Sequence, residues 1–448
     1  MKRLFSKNFF NQIRSFGVKR ATNDYIRNTE IYDYSTNPPK NSYLGVFGVA
    51  STGALGIKRL INNERIKNLH IARRVYPLYY FNDLVNFQKI SIRKAATGYG
   101  FTLFSGKSSI GWHVYGCGVN HDSQLGLQPH SSNINGFPIL MEPSEIPLPE
   151  KVKGINFIAC GLGHSVIVAE IDAIDTNNQI IYTLGNNKFG QCGRQIIDNE
   201  IYRGSSVIHG IKFDKPIRQV ECGEVTTFIL TEDGSVYGCG SNQYGQLASS
   251  DIGCCSSFIQ ITGGIENKVV KQISCRCNTV LALTEDGEVW GWGNNEHNAI
   301  FSDEDHSCTF KPIRLNLPET ICKVIQVSAG STTCAILDDK GQLHTWGMYI
   351  VGLGPNKIVC KQPTVIPAPF FGGGSRLLDG NKSKVVRVAC GVKYSAAITS
   401  YGSLYVWGND IVSGAYNQTF PVLMPATFHA KTLYMGADHS IIVGAPPA

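Results

Sequence analysis

The sequence lacks any apolar run long enough to cross a bilayer as a helix. Crossing takes about 18 or more apolar residues, and the best stretch, Tyr43 to Ile57, is fifteen residues long and Gly-rich. No transmembrane span is expected. Charge is also scarce, at 17% of the 448 residues against 43% hydrophobic, so a sizeable core is expected and general disorder is not. Motifs of covalent chemistry are missing: there is no HExxH, no GxSxG and no GxGxxG opening a helix. The run GFTLFSGKSS from Gly100 comes nearest to a phosphate-binding loop, but Gly106 follows Gly100 by six positions where that motif needs five. Fourteen Cys are present, yet Cys254 with Cys255 and Cys275 with Cys277 have no spaced second pair. Neither a metal nor a cofactor is expected.

Acid is absent from the first twenty residues. There Lys2, Arg3, Lys7, Arg14, Lys19 and Arg20 supply +6 of the net +7, and the other 428 residues sum to +1. Bulk attraction to phosphate is therefore not a property of the body. Wound as a helix, the segment puts Phe5, Phe9, Ile13 and Phe16 on one face, the pattern of a mitochondrial transit peptide. A disordered basic tail has the same composition. Charge interrupts the apolar positions, so a secretory signal is not expected. This reading divides the chain into a transit peptide at 1–20, a polar linker at 21–42 and a folded body at 43–448. Free thiols fit a reducing compartment such as the mitochondrial matrix.

What the body does contain is a repeat. TEDGSVYGCGSNQYGQL from Thr231 and TEDGEVWGWGNNEHNAI from Thr284 are offset by 53 residues, and DDKGQLHTWG from Asp338 follows 54 later. Fixed-period similarity marks a solenoid or propeller, and a DG or KG between two short β-type runs marks a hairpin turn. The Gly ending the second run recurs at Gly48, Gly118, Gly185, Gly240, Gly293, Gly347 and Gly408. The Gly before the first run recurs at Gly98, Gly161, Gly223, Gly330, Gly391 and Gly436, with Arg276 replacing one member. Each series has seven positions, and the half-units missing at the two chain ends are complementary. An all-β, seven-bladed β-propeller follows, its ring closed by pairing N- and C-terminal strands so that no sheet edge is left open.

Aligned by blade, Cys160, Cys222, Cys275 and Cys390 share a column with Thr97, Ala329 and Met435, a small packed position and not a ligand set. Cys117 and Cys239 share an apolar strand column with Phe47, Leu184, Trp292, Trp346 and Trp407. His164 and His439 start an inner strand in a column with Phe101, Thr226, Thr279, Thr333 and Tyr394. A hydrogen bond across a blade is the expected use of these histidines.

The repeat, seen as ACGLGHSVIV, as ECGEVTTFILTEDGSVYGCGSNQYGQL and as ACGVKYSAAI followed by GSLYVWG, resembles the regulator-of-chromosome-condensation repeat over about 90% of the chain. A WD-repeat propeller is disfavoured because the terminal Trp-Asp signature is absent. GNNKFGQCGRQIIDNEIY from Gly185, GYGFTL from Gly98, ARRVYPLYY from Ala72, GPN at Gly354 and IPAPFFG from Ile366 resemble the mitochondrial, G-exchanging-factor-like branch of that family. The resemblance implies a guanine nucleotide exchange factor for a mitochondrial dynamin-related GTPase of inner-membrane fusion. As the alternative it implies a noncatalytic assembly factor for mitochondrial ribosomal RNA and translation; either would be located in the matrix or peripherally on the matrix face of the inner membrane. A general interaction scaffold fits the same residues. In each case the protein works by binding, not as an enzyme of covalent chemistry.

In the chromatin-bound member an acid and a His, in the column just before the repeat His, help hold the GTPase. Here that column reads Gly100, Gly163, Val225, Asn278, Thr332, Lys393 and Asp438, with one acid and no His. The GTPase-binding candidates are accordingly Glu224, Asn278, Lys393 and Asp438, each of which would look the same as a solvated loop residue. A second candidate surface lies between Lys58 and Lys94, where nine basic residues face two acids. Within it Arg65, Lys67, Arg73 and Arg74 precede Tyr76 and Tyr79, a mix suited to RNA, anionic lipid or an acidic partner. A basic excursion between strands with core-facing tyrosines fits equally. Ile171 to Gln179 and Pro367 to Lys384 read as contact loops.

Overall fold

The computed structural model describes residues 43–49, 52–56, 74–80, 90–128, 132–134, 137–149, 151–172, 178–301, 307–372, 383–409, 417–424, 426 and 428–445. The segments 1–20 and 21–42 therefore lie outside the described residues, as do the middles of both contact loops, 173–177 and 373–382.

Seven antiparallel sheets make the ring. Strand β1 spans Tyr43–Val49 and β2 spans Arg74–Tyr80. The first blade holds β3 (Ser91–Thr97), β4 (Phe101–Lys107), β5 (Trp112–Val119), β6 (Ser132–Ile134) and β7 (Phe137–Glu145). The second holds β8 (Val152–Cys160), β9 (His164–Ile171), β10 (Gln179–Gly185) and β11 (Ile208–Lys212). The third holds β12 (Ile217–Cys222), β13 (Thr226–Thr231), β14 (Val236–Ser241) and β15 (Cys254–Gln260). The fourth holds β16 (Val270–Arg276), β17 (Thr279–Thr284), β18 (Val289–Asn294) and β19 (Cys308–Arg314). The fifth holds β20 (Val324–Ser328), β21 (Thr333–Asp338), β22 (Leu343–Met348) and β23 (Val359–Val365). The sixth holds β24 (Val385–Cys390), β25 (Tyr394–Thr399), β26 (Leu404–Gly408) and β27 (Gln418–Met424).

The seventh blade is the closure. Strands β28 (His429–Met435) and β29 (His439–Ala445) come from the C-terminal end, and β29 pairs antiparallel with β1 from the other end, Val46 opposite Ile441 and Gly48 opposite His439. The two-plus-two assembly is the complementarity that the glycine series predicts. The GFTLFSGKSS run lies in β4 and the turn after it, not in a phosphate-binding loop.

Second strands such as TTFILT, TVLALT and YSAAIT are buried at every position, because each is covered on both faces by neighbouring blades. The core is correspondingly split into seven clusters, one in each interface between adjacent blades. Trp292 and Trp346 anchor two of them, each indole N–H donating to a carbonyl of the preceding blade, Gln246 at 2.9 Å and Ala299 at 2.8 Å. His164 Nε2 meets Thr227 Oγ1 at 3.1 Å and His439 Nε2 meets Thr102 Oγ1 at 2.7 Å, so both histidines bridge to the next blade. All fourteen cysteines are free, and burial pushes the Cys192 thiol up to about 12, the mark of an inert packing residue.

First strands line the axis, each beside its counterparts in the flanking blades. A column of glutamines joins them in place of strand pairing. Gln219 brackets the backbone of Ile273, Gln272 that of Val327 and Gln326 that of Val388, each amide donating to the carbonyl and accepting from the N–H.

Candidate functional site

The turns between first and second strands gather at one end of the axis and form a ring of their own. Tyr99 N–H donates to the Gly161 carbonyl, Leu162 to Glu224, Glu224 to Cys277, Ser331 to Gly391 and Ala437 to Gly98, each bond running from one blade to the next. Gly223 shows why the second glycine series exists: a Cβ there would stand 2.7 Å from the Cys277 carbonyl of the next turn. The first series packs against the same turns from outside. Gly293 has φ +96°, and a side chain there would run into the Asn278 carbonyl.

The four GTPase-binding candidates all stand on this turn end, in two adjacent pairs. Glu224 and Asn278 belong to the third and fourth blades and meet directly, Asn278 Nδ2 donating to Glu224 Oε2 at 3.2 Å. The Asn278 amide oxygen in turn accepts from Gln246 Nε2 at 3.1 Å, so the loop after β14 fixes its orientation. Burial pushes the Glu224 carboxyl up, opposed by the Asn278 bond. Lys393 and Asp438 belong to the sixth and seventh blades. The Lys393 carbonyl accepts from Asn409 N–H at 2.8 Å, and Asp438 Oδ1 sits 3.0 Å from His439 Nδ1. Asp438, His439 and Thr102 thus align as an acid, an imidazole and a hydroxyl. Thr102 and His439 are wholly buried, however, so the row is a structural bridge with no access for a substrate.

Three residues that sequence reasoning did not select occupy the centre of this end. Tyr99 reaches from the first blade to the fourth, where its hydroxyl meets Cys277 Sγ at 3.0 Å. Cys277 itself adopts a left-handed φ of 53°. Arg276 stands where the other six blades have Gly, and its positive charge is felt at Cys160, Glu221 and Cys390, on three different blades. Glu221 lies in the first strand of the third blade, and burial pushes its carboxyl up to about 7 against the opposing effects of Arg276 and of Gln219, which donates to it at 2.9 Å. The signal for Arg276 was its break in the glycine series. Tyr99 and Glu221 carried none.

The anion-binding candidates do not form one described patch. Arg65, Lys67 and Arg73 lie outside the described residues, whereas Arg74, Tyr76 and Tyr79 fall in β2, the outermost strand of the seventh blade. The far end of that basic stretch lies elsewhere: Lys94 is in an axial strand, its ammonium 4.8 Å from the Phe157 ring centroid and its pKa lowered by burial. The described parts of the stretch thus lie apart, one in a rim strand and one in an axial strand. Among the described residues no cluster of three or more His, Cys, Asp or Glu is placed to hold a metal.

Comparison with known proteins matches this architecture. Models of the regulator of chromosome condensation repeat match residues 217–246 and 270–299, and residues 113–168 and 286–337. The human RCC1-like G exchanging factor-like protein is 33% identical over 411 residues, covering 88% of this chain and 85% of that protein. The chain belongs to the regulator of chromosome condensation repeat family. Within the family, the mouse counterpart is 32% identical over 417 residues, covering 88% of this chain and 86% of its own. The crystal structure of human WBSCR16 superposes with a TM-score of 0.78 at 31% identity, covering 90% of this chain and 99% of that one. Prp20p of Saccharomyces cerevisiae, at 20% identity and a TM-score of 0.67, covers 92% of this chain and 93% of its own and shares the fold.

Proposed function

We propose that this protein binds a GTPase through the turn end of the propeller and accelerates its nucleotide exchange, in mitochondria and on a dynamin-related GTPase of inner-membrane fusion. The observation that carries the reading is the 33% identity across 85% of a relative whose name is that of a G exchanging factor-like protein. Exchange requires no covalent step. It requires a surface that holds the nucleotide-free GTPase more tightly than the loaded one, so that nucleotide leaves more easily. The turn end suits that task because its polar groups are fixed before a partner arrives: Glu224 and Asn278 hold each other, and Gln246 holds Asn278. Prepositioned groups lose little freedom on binding. Lys393 and Asp438 supply a second contact across the ring.

The test is release of a fluorescent guanine nucleotide from a mitochondrial dynamin-related GTPase, with and without the protein. Faster release, reduced by Glu224→Ala with Asn278→Ala, is the expected result. Equal release rates would overturn the reading and leave an RNA or assembly role, through Arg74, Tyr76 and Tyr79, as the alternative to pursue.

A further inference from the structure

We propose that the opposite, hairpin end of the axial channel is a docking site for an acidic peptide segment that also carries apolar side chains. In every first strand one residue near the hairpin end bulges out of register with the second strand, and β8 has a further shift at Asn156, mid-strand. Going round the ring from the seventh blade the hairpin-end bulges are Lys431, Arg93, Lys153, Arg218, Lys271, Ile325 and Val386. Bulges re-aim a side chain out of the pleat, and here they do so at one height on every blade. Five neighbouring blades thus present cations at the channel mouth, and the two that complete the circle present Ile325, 46% exposed, and Val386, 41% exposed.

The cations are only partly matched. Lys153 reaches Asp172 at 2.7 Å and Arg218 reaches Glu285 at 3.3 Å. Lys271 is held below its ordinary pKa by burial and by the charges of Lys323 and Arg218, against the pull of Glu285. An anionic group placed among these cations relieves that repulsion. The width of the ligand is set by what surrounds the rim. The hairpin tips of the third, fourth and fifth blades carry Glu232, Asp233, Glu285, Asp286 and Asp339 beside a single cation, Lys340, so on that side a broad phosphate surface meets acid while a single extended chain enters the mouth. The identity of the chain is set by the apolar arc. Single-stranded nucleic acid binds on aromatic stacking platforms, and the rim positions offer Ile and Val instead. An acidic peptide with apolar residues matches both arcs, and it would occupy the end of the propeller opposite the proposed GTPase face.

The experiment measures binding of the purified full-length protein to a fluorescein-labelled peptide alternating Asp or Glu with Leu, and to a labelled single-stranded RNA of similar charge. The expected result is peptide binding that weakens with salt, falls about tenfold or more in R93E/K431E, and falls again in I325D. Lys188→Glu, on the turn-end loop of the second blade, leaves it unchanged. The neutral pair R93Q/K431Q gives an intermediate loss and guards against misfolding of the charge-reversed variant. Peptide affinity equal in wild type and both rim variants overturns the proposal, as does RNA binding that is tighter than peptide binding and equally rim-dependent.

Discussion

Tyr99 and Cys277 meet across the axis of the ring, hydroxyl to thiol at 3.0 Å, although 178 residues separate them in the chain. Burial, with the nearby Cys277 and Glu224, pushes the Tyr99 phenol well above its ordinary pKa, so it stays protonated. The turn end is thereby tied from the first blade to the fourth, and its centre is a braced platform. A neutral hydrogen bond of this kind contributes about 1 kcal/mol. Tyr99→Phe is expected to lose about that much in urea denaturation, and a double-mutant cycle with Cys277→Ala to show coupling of similar size. Strictly additive losses would mean that the two side chains only pack.

The glycine series separates positions where a side chain cannot fit from positions where it merely prefers not to. Gly293 and Gly204 both have positive φ, +96° and +72°, but Gly293 abuts the Asn278 carbonyl whereas nothing lies within 4 Å of a Cβ at Gly204. Gly204→Ala is expected to cost about 1 kcal/mol, the strain of a left-handed L-residue. Gly293→Ala adds a backbone clash at the turn end and is expected to cost about 3 kcal/mol or more. Thermal unfolding of the two variants side by side checks the order.

Much of this architecture is legible in the residues. Blade number, hairpin turns and ring closure follow from two glycine columns, because each Gly answers a steric demand that recurs in every repeat. The cross-blade use of His164 and His439 follows from the columns they share with Thr and Phe. The braced axis is not legible, since Tyr99 and Cys277 sit in turns that no local pattern relates. The bulge ring is hidden for a different reason. Arg93, Lys153, Arg218, Lys271 and Lys431 are each an unremarkable surface cation in sequence, and only the shared register of seven inner strands puts them on one circle.

The glutamine column carries stability that hydrophobic patterning does not reveal. Gln272 accepts from the Val327 N–H at 3.0 Å and donates to its carbonyl at 3.1 Å, joining two blades whose first strands do not pair. Removing the amide leaves both backbone groups of Val327 without that partner, at about 1–3 kcal/mol for each that water does not reach. Gln272→Ala is therefore expected to destabilise by about 2–4 kcal/mol, and Gln272→Glu, which keeps the acceptor and loses the donor, by less. Equal losses for the two would sink the bracket as the explanation.

The pH dependence of stability contains two opposed contributions near the axis. His164 is fully buried, and burial lowers its pKa from 6.5 to about 4. As pH falls from 6.5 toward 4 the unfolded chain takes up a proton that the folded one refuses, so this contribution is lost on acidification. Glu221 works the other way. Its folded pKa is raised from 4.5 to about 7, so between those values the unfolded chain gives up a proton that the folded one keeps, and stability is lost as pH rises. Each shift corresponds to about 3 kcal/mol at most, less for Glu221 because the residue is only partly buried. The two slopes cancel in large part between pH 4.5 and 6.5 in the wild type. Glu221→Gln is expected to uncover the histidine, giving stability that climbs with pH across that window. His164→Phe, which copies Phe101 in the same column, uncovers the glutamate and gives stability that declines. Urea midpoints for the three proteins measured across the window check both signs, and parallel curves would show that neither group titrates with folding.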